Sequence, residues 1–236
     1  MSDELVIMEK AVLDDIGDAV REITGITELI PTGELASEIR GAQGGGGGQN
    51  KLALLVNPQD ATNNPYEITA SDLGNMVEVA EGFFRDKNGL TSISLPTTCT
   101  KIGADGFRFC KSLTSADLPN VESIAEYGFQ NNLKLTSVNM PNVKTIGTYV
   151  FDGCNKLTLL TIPATCTNIS GYALRCATST NKCIFRFEGD TPPTIASTTF
   201  RKTYVRSIQV KPNNGETYKT ATNFTTLADL IVEEDF

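Results

Sequence analysis

Six cysteines, Cys99, Cys110, Cys154, Cys166, Cys176 and Cys183, are the residues of this chain best suited to chemistry. They could pair as disulfides or hold a metal. The chain has no histidine, which removes Ser-His and Cys-His nucleophile pairs, histidine general bases and most zinc sites. It has no tryptophan either, so the large aromatic anchor of many sugar sites and interface hot spots is missing. Asp14 with Asp15, Asp229, and the run from Glu233 to Asp235 offer carboxylates. No histidine or phosphate loop accompanies them, and they read as solvated acidic faces. Five glycines, Gly44 to Gly48, lack the Lys-Ser/Thr that follows a phosphate-binding loop. These residues predict no catalytic set, no metal and no cofactor. They point to binding or structure.

The elements that must position them come from a repeat. Four segments align: "LTSISLP" at Leu90, "LTSADLP" at Leu113, "LTSVNMP" at Leu135 and "LTLLTIP" at Leu157, spaced by 23, 22 and 22 residues. Ile102, Ile124, Ile146 and Ile169 recur in the same frame, and five residues after each comes Phe107, Phe129, Phe151 or Leu174. The frame extends back to Val79 and Phe84, and forward to Ile195, Phe200 and "VRSIQVKP". Each unit is a short strand ended by proline. One unit cannot bury its apolar side, but stacked neighbours can. The expected product is a right-handed solenoid with a parallel sheet, about six turns over residues 68–212. Phe129 should lie mid-column, and Phe185 among less regular turns.

The frame assigns the cysteines. Cys99 and Cys166 occupy the site where the intervening turns have Val121 and Val143, a small buried apolar position. Cys110 and Cys154 share another site, with Asn132 between them. Two turns apart is about 9–10 Å at sheet spacing, too far for a disulfide. Cys176 with Cys183 stays open as a pair. On the sheet, Ser94, Asp117, Asn139 and Thr161 fall between the two buried strand positions, and Thr91, Thr114, Thr136 and Thr158 lie beside the first. This face is polar, small and nearly uncharged. It is an ordinary solvated surface or a contact surface for glycan or protein.

Ahead of the repeats, Leu5, Met8, Val12, Ile16, Val20 and Ile23 step by three and four, as one face of a helix. Ser2 caps it, and Gly25 stops it. A second short amphipathic piece spans Leu35 to Ile39. Two short helices cannot cover their own apolar faces. Residues 1–40 are therefore expected to dock or oligomerise, 41–50 to act as a flexible linker of roughly 16–19 Å, and 51–236 to form the repeat domain with terminal caps. The net charge of -8 argues against nucleic-acid or anionic-membrane partners. No apolar run reaches the roughly 18 residues of a membrane span, and the acidic N-terminus does not read as a secretory signal, so synthesis in a cytoplasm is expected.

"LTSISLPTTCTKIGADGFRFC" and "LTSVNMPNVKTIGTYVFDGC" resemble the BspA-like, or Treponema-type, leucine-rich repeat, close to L-x-x-I-x-L-P-x-x-φ-x-x-I-g-x-x-a-F-x-x-C. The tail "VKPNNGETYKTATNFTTLADLIVEED" is similar to the closing segment of such arrays, with Phe224 in place of its aromatic. The resemblance implies an α+β fold: a leucine-rich repeat solenoid with a parallel sheet behind a short helical N-terminal module. It also implies interaction rather than catalysis. "IGDAVREITGITELIPTGELASEIRG" resembles N-terminal segments of bacteriophage tail and fibre proteins. That second resemblance implies a virion structural protein, a head or tail fibre or a decoration protein, made in the host cytoplasm. Residues 1–40 would bind other virion proteins, as a homo-oligomer, and the repeats would contact a host-surface glycan or protein. A bacterial BspA-like adhesin or protein-interaction module is the alternative.

Overall fold

A computed structural model of the protein describes residues 65–236. The docking residues Leu5, Met8, Val12, Ile16, Val20 and Ile23, the linker 41–50 and the start of the repeat domain at 51 lie outside the described residues. The chain from Tyr66 winds through alternating longer and shorter strands. The longer ones are β1 (Tyr66–Ile68), β3 (Leu90–Ser94), β5 (Ser115–Asp117), β7 (Ser137–Asn139), β9 (Leu159–Ile162), β11 (Cys183–Phe187) and β13 (Val205–Val210). Between them fall two-residue strands: β2 (Glu78–Val79), β4 (Lys101–Ile102), β6 (Ser123–Ile124), β8 (Thr145–Ile146), β10 (Asn168–Ile169) and β12 (Thr194–Ile195). Short helices α1 (Ala70–Leu73) and α2 (Gly215–Thr220) and a last strand β14 (Ile231–Glu233) complete the described part.

All strand pairs are parallel, as a solenoid requires. The repeat isoleucines form a sheet of their own, in the order β12-β10-β8-β6-β4-β2. Val79, Ile102, Ile124, Ile146, Ile169 and Ile195 pair one above another along it and are all buried. The longer strands do not make one sheet. They form β1-β3-β5-β7 and β9-β11-β13-β14, with no ladder across β7 and β9. At that seam the inward residue Val138 is only half-buried, whereas its ladder equivalents Ile93, Ala116 and Leu160 are buried.

The core between the sheets is built of columns. Phe84, Phe107, Phe129 and Phe151 stack nearly parallel, with ring centroids 4.8, 5.0 and 5.7 Å apart, and each is fully buried. Two left-handed residues bracket each phenylalanine, for example Asp105 and Phe109 around Phe107, and Tyr127 and Asn131 around Phe129. These wind the chain tightly enough for successive rings to touch. Gly147 marks a close approach of two turns: a Cβ there would stand 2.7 Å from the backbone carbon of Ala125.

All six thiols are free and buried, Cys176 and Cys183 included. Cys99 and Cys166 sit in the column with Val121 and Val143, all buried. The second cysteine column is a donor column. Cys110 Sγ donates to Phe84 O at 2.9 Å, Asn132 Nδ2 to Phe107 O at 3.0 Å, and Cys154 Sγ to Phe129 O at 3.1 Å. Cysteine and asparagine alternate there because each carries a donor that reaches the previous turn. After β9 the packing changes. Phe185, expected among irregular turns, is fully buried on the five-residue β11, edge-on to Phe200 at 5.0 Å. Phe187, Tyr218 and Phe224 meet at tilted and edge-to-face angles, and Tyr218 Oη donates to Gly189 O at 2.9 Å.

Candidate binding face

The outward side of β3, β5 and β7 brings three of the four expected contact residues into one hydrogen-bonded line. Ser94 Oγ donates to Asp117 Oδ2 at 3.2 Å, and Asn139 Nδ2 donates to Asp117 Oδ1 at 2.7 Å. Parallel register puts these residues side by side, and the period of two turns them away from buried Ile93, Leu95, Ala116 and Leu118. Thr161, across the seam on β9, lines the same groove but does not join the line. Both donors to Asp117 are neutral, and no cation among the described residues pairs with it.

The threonines face a different task. Thr91 Oγ1 donates to Tyr66 O at 2.9 Å, Thr114 Oγ1 to Thr91 O at 2.8 Å, and Thr136 Oγ1 to Thr114 O at 2.9 Å. They tie one turn to the next. The reason is a register shift: Tyr66 pairs with Leu90, but Glu67 pairs with Ser92, so Thr91 is the extra residue of a bulge. The second outward column is therefore Ser92, Ser115 and Ser137, which the sequence reading missed. Counting back by two from Ser94, Asp117 and Asn139 would have found it. These serine hydroxyls have no hydrogen-bond partner among the described residues.

Together the two columns floor a groove of about 620 Å³ that runs across the seam to Met140, Pro141, Pro163 and Glu188. Among the described residues its lining holds two carboxylates, Asp117 and Glu188, and no lysine, arginine or aromatic ring. Beyond β9 the face changes character. Leu159 and Ile184 continue the serine column, and Leu159 is 38% exposed. Arg186 turns towards the C-terminus, with Nε donating to Gln209 Oε1 at 3.0 Å and its guanidinium 4.6 Å from the Phe236 ring centre. On the opposite sheet Ser123, Thr145 and Asn168 line a smaller depression of about 320 Å³. Ion pairs Lys101–Glu78 and Lys144–Glu122, at 3.3 and 2.8 Å, cross between turns there.

Five of the thiols, Cys99, Cys110, Cys154, Cys166 and Cys176, are held above the ordinary thiol value. Burial pushes Cys110 up to about 12 and Cys166 up to about 11, from an ordinary 9.0. A hydrogen bond with Cys183, then burial, push Cys176 well up. A reactive cysteine needs the opposite shift. Among the described residues no group of three histidine, cysteine, aspartate or glutamate side chains is placed to hold a metal. None of the described helices is long and apolar enough to cross a membrane.

A parallel solenoid with 22- to 23-residue turns, isoleucine and phenylalanine columns and an open polar sheet face is a leucine-rich repeat protein. The family described as BspA type leucine rich repeat region matches residues 77–189 and 122–236, in six copies, and the chain belongs to it. The crystal structure of the pneumococcal vaccine antigen PcpA is similar with a TM-score of 0.59 and 23% identity, over 75% of this chain and 43% of that one. The crystal structure of a Treponema pallidum (T. pallidum) leucine rich repeat protein gives a TM-score of 0.45 and 22% identity, over 52% of this chain and 58% of that one. The chain thus spans about half the length of these solved structures. No curated protein matches it. The family match begins at residue 77, so the virion reading of residues 1–40 has no finding behind it.

Proposed function

We propose that this protein is a non-catalytic interaction module of the BspA-like adhesin class. It binds a partner at a cell or particle surface through the outward face of β3, β5, β7 and β9. The carrying observation is the groove of about 620 Å³ floored by Ser92, Ser115, Ser137, Ser94, Asp117 and Asn139. It is concave, it is lined mainly by side chains that no turn needs for packing, and it lies where a solenoid offers its largest continuous surface. The raised thiols, and the lack of a convergent acid–base set among the described residues, favour binding over catalysis. Residues 1–40 serve as the docking and oligomerisation segment.

A second reading keeps the face and changes its carrier. The likeness of "IGDAVREITGITELIPTGELASEIRG" to phage fibre segments favours display on a virion, where several copies bind weakly and together. For the main reading, the full chain is applied to arrays of surface glycans and extracellular proteins beside Ser115→Trp, which fills the groove. Capture of a ligand by the parent, lost in Ser115→Trp, is the expected result. Ligands held equally by both proteins would sink the assignment of this face.

A further inference from the structure

We infer that the groove takes an extended basic segment of a partner protein, one carrying lysine or arginine side chains, rather than a glycan. This rests on the face proposed above and names what it binds. Three observations converge. Among the described residues of the lining, Asp117 and Glu188 are the only charged side chains. Neither is paired with a cation among the described residues. Arg186, in register with Thr161 on the next strand, is occupied by Gln209 and Phe236. The site is therefore complementary to positive charge, and the chain's net charge of -8 adds long-range attraction of the same sign.

The second observation is the missing aromatic. A sugar ring has an apolar C–H face that a site normally buries against a flat ring, and this groove has none. The aromatic side chains of the regular turns are committed elsewhere. Phe84, Phe107, Phe129 and Phe151 stack in the core, and Tyr127, Tyr149 and Tyr172 stack on one another at 5.4 and 4.7 Å. The third is the floor. Serines at the outward positions of three successive strands leave room for a peptide backbone to lie close, and their unpartnered hydroxyls can bond its amides. The half-buried edge of Val138 at the seam gives the aliphatic stem of a lysine or arginine an apolar surface to lie along.

The test uses the full chain and fluorescence anisotropy. The probes are a labelled peptide alternating lysine and serine, its glutamate–serine counterpart, and the neutral oligosaccharide cellohexaose. The lysine peptide should bind, the glutamate peptide should not, and added salt should weaken the binding. Asp117→Asn with Glu188→Gln should cost about tenfold in affinity. Removing two charges from the opposite sheet, Glu78→Gln with Glu122→Gln, should cost less than about twofold. Equal losses from both double variants would mean a general field effect and would overturn the inference. Cellohexaose binding that Ser115→Trp abolishes, with no response to the carboxylate changes, would overturn the basic-peptide assignment but keep the binding face. If Ser115→Trp alters binding of no probe, the face itself is wrong.

Discussion

The stack from Phe84 to Phe151 and the closing part from β11 to β14 bury their aromatics in opposite ways. In the stack each turn adds one ring to a parallel column, one donor to the Cys110–Asn132–Cys154 line and one isoleucine to the six-stranded sheet. The turns are interchangeable, and each is held only by its neighbours. In the closing part Phe187, Tyr218 and Phe224 lock at crossed angles. That packing cannot be extended by another copy of itself. The difference separates propagation from termination: a column grows, and a crossed cluster ends the growth and covers the last turn.

The largest expected effect tests whether the two regions share one stability. Phe129→Ala opens a cavity between two rings and should cost about 3–5 kcal/mol, read from the midpoint of chemical denaturation. Phe185→Ala removes a ring equally buried between β9 and β13 and should cost a similar amount. A Phe185→Ala protein that unfolds in two steps would show that the closing part melts apart from the stack. A nearly neutral Phe129→Ala would dismantle the column.

Alkaline pH sharpens the same contrast through the thiols. Cys110 and Cys166 have folded-state pKa values raised to about 12 and about 11, from 9.0, chiefly by burial. The unfolded chain gives up these protons first. The thiols therefore contribute full stability below about pH 9 and lose it as pH rises towards 11–12. Cys166→Val should remove its share of the alkaline loss, on the order of 1–2 kcal/mol between pH 9 and 11. Identical pH profiles for the variant and its parent would refute this.

At neutral pH the two cysteine columns should part. Cys99→Val replaces a thiol by the residue found at Val121 and Val143 and should change stability by less than about 0.5 kcal/mol. Cys110→Val leaves the buried Phe84 carbonyl without its side-chain donor and should cost about 1 kcal/mol. Asn132 keeps the donor but leaves its buried Oδ1 without a partner among the described residues. Asn132→Cys should therefore raise the thermal midpoint, by about 1 kcal/mol in stability. Equal effects of valine at Cys99 and Cys110 would mean that the donor line contributes nothing.

Repetition made most of this fold legible. Ile102, Ile124, Ile146 and the phenylalanines announce themselves because four or more turns agree on them. What stayed hidden has local causes. A two-residue strand such as β6 has too little length to show alternation, so the isoleucine sheet was seen as a column and not as a sheet. The bulge at Thr91 shifted the outward count by one and exchanged the serine column for the threonines. Cys110 and Asn132 share no hydropathy, only a donor, so an apolar pattern could not explain their alternation. Ser94, Asp117, Asn139 and Thr161 turn outward on their strands because period-two alternation holds from Ile93 onward. The seam between β7 and β9 has no mark in the residue pattern.

The smallest effect belongs to the far end. Glu233 Oε1 accepts from Gly215 N at 2.8 Å, and the amides of Gly215 and Asn213 hold its carboxyl below the ordinary value of 4.5. A carboxyl lowered on folding contributes above that value and loses its contribution as pH falls through its folded-state value. The group is fully exposed, so its influence on global stability should be slight. It should still matter locally, because it ties the start of α2 to β14, the edge strand that pairs with β13. Glu233→Gln keeps an acceptor and removes the charge. The expected result is faster amide exchange at Glu234, whose N–H donates to Val210 O at 2.9 Å, with an unchanged denaturation midpoint. Exchange should reach the same rate in the parent once the pH is brought below its carboxyl titration. A fall in the global midpoint comparable to that of Phe129→Ala would show that end and stack unfold as one unit, and that the closing cluster is an extension of the columns rather than a separate device that stops them.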